Sequence, residues 1–188
     1  MEVENISISQ IHDISCLSDF HCGITIMDAF IHGGLQESIN GLFCKAYKVT
    51  ANGITVAFFA LTFDSLDLDP QEIYDIVYTK KNAINLPDSY TELFLEKNTF
   101  PAVEISYLAV HKDYQHNSLG TRIVEVVKER ALQQDFAGCQ FVTVVPLVQS
   151  NYSAEGFYEK LGFEHKQSYN SRLDKTMYSP LRIWKSGI

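Results

Sequence analysis

The sequence predicts an α/β fold in which an antiparallel half meets a strand–helix–strand half. Three observations predict it. Asn52-Gly53 stands between two runs dense in β-branched and aromatic residues, Cys44–Thr50 and Ile54–Phe63, which is the signature of a tight hairpin. The apolar run Val103–Val110 leads through a turn-rich stretch into a helical pattern, and Phe141–Val148 follows as another strand. A short helical pattern over Ser153–Leu161 then stops at Gly162, the position that favours a positive φ.

The elements can be justified in chain order. Val3–Ile8, with apolar residues at 3, 6 and 8, reads as a first strand. Helical patterning dominates from about Gln10 to Gly41, with breaks near Cys22-Gly23 and Gly33-Gly34. Met27, Phe30 and Ile31 fall at i, i+3, i+4 and form one apolar helix face. After the hairpin the pattern loosens between Asp64 and Pro101. Asp64, Asp67, Asp69 and Pro70 end the strand, Gln71–Lys81 reads as helix, and Leu86-Pro87-Asp88 reads as a turn before a short helix closing at Leu93-Phe94-Leu95. We read about 64–101 as a helical and loop insertion within a single domain spanning 1–188. Its acidic residues read as solvated turns rather than as a metal site.

Lys112–Ser118 is turn-rich, and a helix opens near Leu119-Gly120-Thr121. Ile123, Val126, Val127, Arg130 and Ala131 lie close to helical spacing, with Lys128 and Glu129 opposite. Pro146 falls near the end of its strand, where a missing donor is tolerated. Phe163 and Thr176-Met177-Tyr178 supply the closing strands.

Composition excludes several function classes. The chain has 188 residues, 46% of them apolar and 20% charged, which suits one packed domain and argues against disorder. Fifteen Lys and Arg against 23 Asp and Glu leave a formal net charge of -8, a poor balance for a general polyanion binder. No apolar run approaches the roughly 20 residues of a membrane span. Met1-Glu2-Val3-Glu4 lacks the basic-then-apolar pattern of a secretory signal, so a cytoplasmic location is expected. Cys16, Cys22, Cys44 and Cys139 form no C-x-x-C pair and no histidine pair stands at zinc-ligand spacing beside them, so they read as buried thiols.

Two segments carry chemistry. Tyr107-Leu108-Ala109-Val110 runs through His111-Lys112-Asp113-Tyr114 into Gln115-His116-Asn117-Ser118-Leu119-Gly120-Thr121. A strand, a loop and a helix start in that order present backbone N–H groups with the positive end of the helix dipole, and so bind phosphate without a basic patch. This segment resembles the acetyl-CoA-binding motif of the GNAT family of N-acetyltransferases. Asn151-Tyr152-Ser153-Ala154-Glu155-Gly156-Phe157-Tyr158-Glu159-Lys160-Leu161-Gly162-Phe163 resembles the same family's later motif. The family pattern in the first segment is Gln or Arg, two residues, Gly, one residue, Gly or Ala. Gln115 and Gly120 fit it, and Ser118 replaces the first glycine, adding a Cβ where a positive φ is expected.

The resemblance implies a mixed, mostly antiparallel central sheet flanked by helices and splayed between its fourth and fifth strands. It implies acetyl-CoA as co-substrate, with Leu108, Ala109 and Val110 pairing with the pantetheine arm and the amides of His116 to Thr121 facing the pyrophosphate. Lys112 and Arg122 are nearby cations. It makes Tyr158 the general acid that protonates the departing thiolate, Asn151 a contact to the cofactor arm, and Glu104 the base for the attacking amine. Alternation along the strand puts Glu104 on one side with Ser106 and Leu108. Each has a structural reading too: a core aromatic for Tyr158, a strand-end or cap residue for Asn151, and an exposed glutamate for Glu104.

Phe20-His21-Cys22-Gly23, Met27-Asp28-Ala29-Phe30 and Tyr178-Ser179-Pro180-Leu181 are similar to the toxin-type acetyltransferases of bacterial toxin–antitoxin pairs. That resemblance implies an aminoacyl-tRNA acceptor and a helical antitoxin as partner. The acidic balance favours instead a cationic acceptor such as a polyamine, a lysine side chain or a basic peptide, unless Lys80, Lys81, Lys112 and Arg122 form a local basic patch. The partners expected are therefore an amine acceptor (small molecule, peptide or aminoacyl-tRNA), an antitoxin-like protein and a second copy in a homodimer, with no membrane. The competing class is a non-catalytic acyl-CoA-binding or protein-interaction module of the same fold, which Ser118 favours and Asn151 with Tyr158 opposes.

Overall fold

The structure is a computed structural model and describes residues 6–79, 86–167 and 175–181. Val3 of the expected first strand, the opening Met1-Glu2-Val3-Glu4, and Lys80 and Lys81 lie outside the described residues.

The strands are β1 (Ile6–Ile11), β2 (Lys45–Ala51), β3 (Ile54–Asp67), β4 (Thr99–Val110), β5 (Phe141–Val144), β6 (Val148–Gln149), β7 (Tyr152–Ser153), β8 (Glu164–His165) and β9 (Met177–Pro180). The helices are α1 (Thr25–Gly33), α2 (Leu35–Asn40), α3 (Pro70–Tyr78), α4 (Asp88–Leu95), α5 (Leu119–Gln133) and α6 (Glu155–Lys160), with 3-10 turns at Ile14–Leu17 and Lys112–Tyr114. Seven strands form one sheet in the order β1-β2-β3-β4-β5-β9-β8, and β6 with β7 makes a separate small hairpin. The β1–β2, β2–β3, β5–β9 and β8–β9 ladders are antiparallel, and β4 with β5 is parallel.

The β2–β3 hairpin turns on Asn52 (φ 51) and Gly53 (φ 82), both left-handed, as a two-residue primed turn requires. Its ladder slips between Val49 and Thr50, a bulge that leaves Val56 without a matched partner. The parallel ladder pairs Ala102, Val103 and Glu104 with Phe141, Val142 and Thr143. It stops there, while β4 runs on to Val110, so the fourth and fifth strands pair only at one end.

Several boundaries differ from the expected ones, for physical reasons. Gln10 and Ile11 belong to β1 and not to a helical run, because they pair with Tyr47 and Ala46. β3 continues through Asp64 to Asp67, since its acidic side chains find partners: Asp64 accepts from Thr143 at 2.5 Å and Asp67 from Thr99 at 2.6 Å. Asp69 then caps α3 through the Glu72 N–H at 2.8 Å, with Pro70 in the first turn. β5 ends at Val144, two residues before Pro146, and does not reach Val148.

The chain divides into two compact units, each built from two stretches: Met1–Thr62 with Ile105–Val127, and Phe63–Glu104 with Lys128–Ile188. In the first, Ile11, Leu17, Phe20, Ile31, Leu35, Phe58 and Ala109 form the core, with Met27 and Phe30 packed against it. Phe30 stacks on Tyr107 with centroids 4.1 Å apart. In the second, Leu66, Ile73, Ile76, Phe94, Phe100, Phe141 and Tyr178 form the core. No helix among the described residues is long and apolar enough to cross a membrane.

Candidate active site

In the first unit, Leu108, Ala109 and Val110 end β4, beyond the point where the β5 ladder stops. Among the described residues no strand pairs with that edge there, so its backbone groups can take an extended ligand as an added strand. The loop that follows is anchored at several points. His111 N–H donates to the Val56 carbonyl at the bulge (2.8 Å), and Lys112 N–H donates to the His21 carbonyl (2.9 Å). Gln115 Nε2 donates to the carbonyls of Cys22 (2.8 Å) and Val110 (3.0 Å), so its side chain braces the loop from within. Asn117 Nδ2 bonds the carbonyls of Tyr114 and Gln115.

The loop backbone turns left-handed at His116 (φ 61) and Ser118 (φ 57), flanking Asn117. Such turns gather successive N–H groups into a concave anion-binding nest. Leu119, Gly120 and Thr121 open α5, and their N–H groups have no acceptor within the described chain, the usual state of a first helical turn. Nest and helix start together suit a pyrophosphate. Lys112 and Arg122 are both exposed beside this loop in sequence.

The Cys22–Gly23 segment that receives Gln115 is itself held by α1. Asp28 accepts from the N–H groups of Cys22 (2.7 Å) and Gly23 (3.1 Å). Burial raises the Asp28 carboxyl, but the bonds from Cys22 and Gly23 and the charge of His21 outweigh it and hold it below its ordinary value. Gly23 needs its φ of +82, where Lys112 Cβ comes within 3.9 Å of the site of an added Cβ. Sequence reasoning did not foresee this brace. Nothing in the spacing of these residues joins Cys22 to Gln115, which lies 93 positions away.

In the second unit, Asn151 sits exposed at the tip of the β6–β7 hairpin, where Gln149 pairs with Tyr152. It caps no helix, since Ala154 precedes α6. Tyr158 lies on α6 and is 5% exposed. Burial, with a contribution from Tyr152, pushes its phenol well above the ordinary value, so the group is a protonated donor throughout the neutral range. Helix α6 ends in a Schellman arrangement: Gly162 (φ 78) donates to Glu159 at 3.0 Å and Phe163 donates to Tyr158 at 3.1 Å. The Tyr158 and Phe163 rings meet edge-on at 5.3 Å, which is the apolar contact that accompanies this motif.

Glu104 is half-buried at the last rung of the parallel ladder, opposite Thr143. Thr143 is fully buried and donates to Asp64. Burial first, and then the negative charge of Asp64, raise the Glu104 carboxyl above its ordinary value, the direction that suits a base near neutrality. Asp64 lies within β3 and does not end it, and its place beside Glu104 has no signal in local sequence because β3 and β4 are joined by a long segment.

Lys128 differs from its expected place. It was set on the solvent side of α5, yet it is half-buried and donates to the Leu161 carbonyl (3.0 Å) and the Ser179 hydroxyl (2.8 Å). Arg130, expected on the apolar face, is exposed, and Val124 takes its place in the buried stripe. All four cysteines are free, and Cys22 and Cys44 are buried while Cys16 and Cys139 are half-buried. Among the described residues no group of three His, Cys, Asp or Glu is placed to hold a metal ion. A cavity of about 890 Å³ lies where α5 ends, lined by Leu86, Phe94, Leu132, Phe136 and Cys139 among others, and none of the candidate catalytic or cofactor-binding residues lines it.

Residues 82–165 match the model of the acetyltransferase (GNAT) domain. No curated protein matches the chain. Among solved structures, a tyrosine-to-phenylalanine mutant of KacT aligns with a TM-score of 0.66 at 17% identity, over 95% of this chain and 96% of its own. AtaT complexed with acetyl-methionyl-tRNAfMet aligns with a TM-score of 0.63 at 18% identity, over 94% and 95%. AtaTR bound with AcCoA aligns with a TM-score of 0.64 at 19% identity, over 95% of each chain. At these identities the likeness speaks for the fold alone. Residues 82–165 are thus similar to the acetyltransferase (GNAT) domain, and the chain shares its fold with KacT and AtaT.

Proposed function

We propose that residues 1–188 act as one domain that moves an acetyl group from acetyl-CoA to a primary amine by direct attack in a ternary complex. The observation that carries this reading is the edge of β4 at Leu108–Val110, which no described strand joins beyond the β5 ladder, running into the left-handed loop and helix start at His116–Thr121. The edge offers hydrogen bonds to an amide-bearing arm and the loop offers N–H groups to a pyrophosphate, with Gln115 holding the loop closed. AtaTR, on the same fold, was solved bound with AcCoA, which supports this choice of co-substrate.

In the reaction, Glu104 takes the proton that the acceptor ammonium must lose, directly or through water. As the amine nitrogen bonds to the thioester carbon and the carbon–sulfur bond breaks, the nitrogen releases its second proton to solvent, and Tyr158 donates its phenolic proton to the thiolate and recovers one from solvent. Asn151 is a contact for the cofactor arm. The net charge of -8 and the acidic pair Asp64 and Glu104 favour a cationic acceptor. An aminoacyl-tRNA acceptor and an antitoxin partner are the second reading, favoured by the likeness to AtaT complexed with acetyl-methionyl-tRNAfMet. A cytoplasmic location suits either acceptor.

Transfer of labelled acetyl from acetyl-CoA tests both, with bulk charged tRNA, polyamines and lysine peptides offered separately to wild type and Tyr158→Phe. Labelling of one acceptor class by wild type, reduced by about 10²-fold or more in Tyr158→Phe, supports catalysis and names the acceptor. Tight acetyl-CoA binding with no transfer to any amine overturns it in favour of a binding module.

A further inference from the structure

We propose that Lys128 is a positioning residue that fixes Tyr158, by clamping the turn that ends α6. The proposal rests on the reading of Tyr158 as the proton donor. Lys128 sits four residues after the buried Val124 and beside the buried Val127, so its stem runs along the inward stripe of α5 and carries the ammonium to the protein side. Three of its contacts there bear on Tyr158. Its Nζ donates to the Leu161 carbonyl at 3.0 Å and to the Ser179 hydroxyl at 2.8 Å, and it stands 4.6 Å from the centroid of the Phe163 ring.

Two of those contacts lead directly to Tyr158. Leu161 and Phe163 both donate their backbone N–H to the Tyr158 carbonyl, at 2.9 and 3.1 Å. Phe163 also places its ring edge-on against the Tyr158 ring. The ammonium therefore holds the carbonyl of one residue and the ring of another, and both are bonded to the tyrosine. Ser179, buried in β9, is the fixed point against which the clamp closes. Bonds from a charged donor are stronger than neutral ones, and a cation over an aromatic face adds to them. Without the ammonium the last turn of α6 loses the charged donor at Leu161 and the cation over Phe163, and the Tyr158 ring is held less firmly.

A double-mutant cycle tests this. Lys128→Met keeps the stem and removes the charge and the donors. Its kcat is expected to fall by between about tenfold and about a hundredfold, the loss that a small misplacement of a reacting group brings, while KM for acetyl-CoA stays within about twofold. In a Tyr158→Phe background the same substitution is expected to cost less than about twofold, because the group it positions is already gone. Equal losses in both backgrounds, or a KM effect with kcat unchanged, overturn the proposal and leave Lys128 a purely structural residue. A Tyr158→Phe enzyme with wild-type activity overturns the proton-donor reading and this one together, which separates the two failures. Should Lys128→Met unfold, Lys128→Gln keeps an N–H donor without the charge and the cycle is read the same way.

Discussion

Gln115 donates its side-chain N–H to the Cys22 carbonyl at 2.8 Å, although 93 residues of chain separate them. A second bond from the same nitrogen reaches Val110 at 3.0 Å, so one amide ties the end of β4, its own loop and the segment before α1. The glutamine of the phosphate-loop pattern thus acts inwardly, and loop shape depends on residues far away in sequence.

Removing that amide should loosen the loop without touching the reacting groups. Gln115→Ala loses two hydrogen bonds worth on the order of 1 kcal/mol each. KM for acetyl-CoA is expected to rise roughly tenfold or more, with kcat changed much less. Steady-state kinetics with acetyl-CoA varied decides it. A fall in kcat with an unchanged KM would contradict the bracing role.

Ser118 holds φ 57, a conformation that costs a residue with a Cβ roughly 1–2 kcal/mol relative to glycine. Ser118→Gly is therefore expected to stabilise the folded protein by about 1 kcal/mol, less the entropy glycine adds to the unfolded chain. Denaturant unfolding of both proteins measures it. Acetyl-CoA affinity should be kept or improved, since glycine also clears room for a close backbone approach.

The Glu104 carboxyl is raised by burial and by the negative charge of Asp64, so the acid limb of kcat/KM should lie above the usual glutamate range. In Asp64→Asn the charge is gone and the limb should move to lower pH. The sign for stability runs the other way from an ion-paired carboxylate. The folded state holds the proton more tightly than the unfolded one, so stability is highest below the unfolded value and falls as pH rises toward the folded one. A limb that stays in place in Asp64→Asn would remove Glu104 as the titrating base.

Burial pushes the Cys22 thiol up to about 11. At pH 8 it should remain a thiol and react with iodoacetamide far more slowly than a free cysteine, becoming reactive on unfolding. Raised above its unfolded value, it contributes stability below about pH 9 that is lost as pH climbs toward 11. Mass mapping of alkylated peptides with and without denaturant reads the protection site by site.

Local patterns carried much of the fold. Asn52-Gly53 turned the hairpin, Gly162 ended α6, and the loop-to-helix step at Ser118-Leu119 stood where the motif put it. What local pattern could not carry was pairing. Gln10 and Ile11 belong to a strand because of Tyr47 and Ala46, and β3 outlasts its acidic residues because Thr143 and Thr99 receive them. Candidate residues for the site were readable one at a time. Their supports, Cys22 for the loop, Asp64 for Glu104 and Lys128 for Tyr158, come from distant segments and leave no periodic trace.

The two-stretch build of the first unit sets a clock on synthesis. Its core draws Ala109 from the second stretch, so β1 to β3 with α1 and α2 leave the ribosome without the strand that completes them. The intervening Phe63–Glu104, about forty residues, takes roughly 2–8 seconds to be made. A hairpin closes in microseconds, so during that time the side of β3 that receives β4 in the sheet waits for its partner. An open strand edge is an aggregation hazard, and here it is open before the loop at His116–Thr121 has been translated.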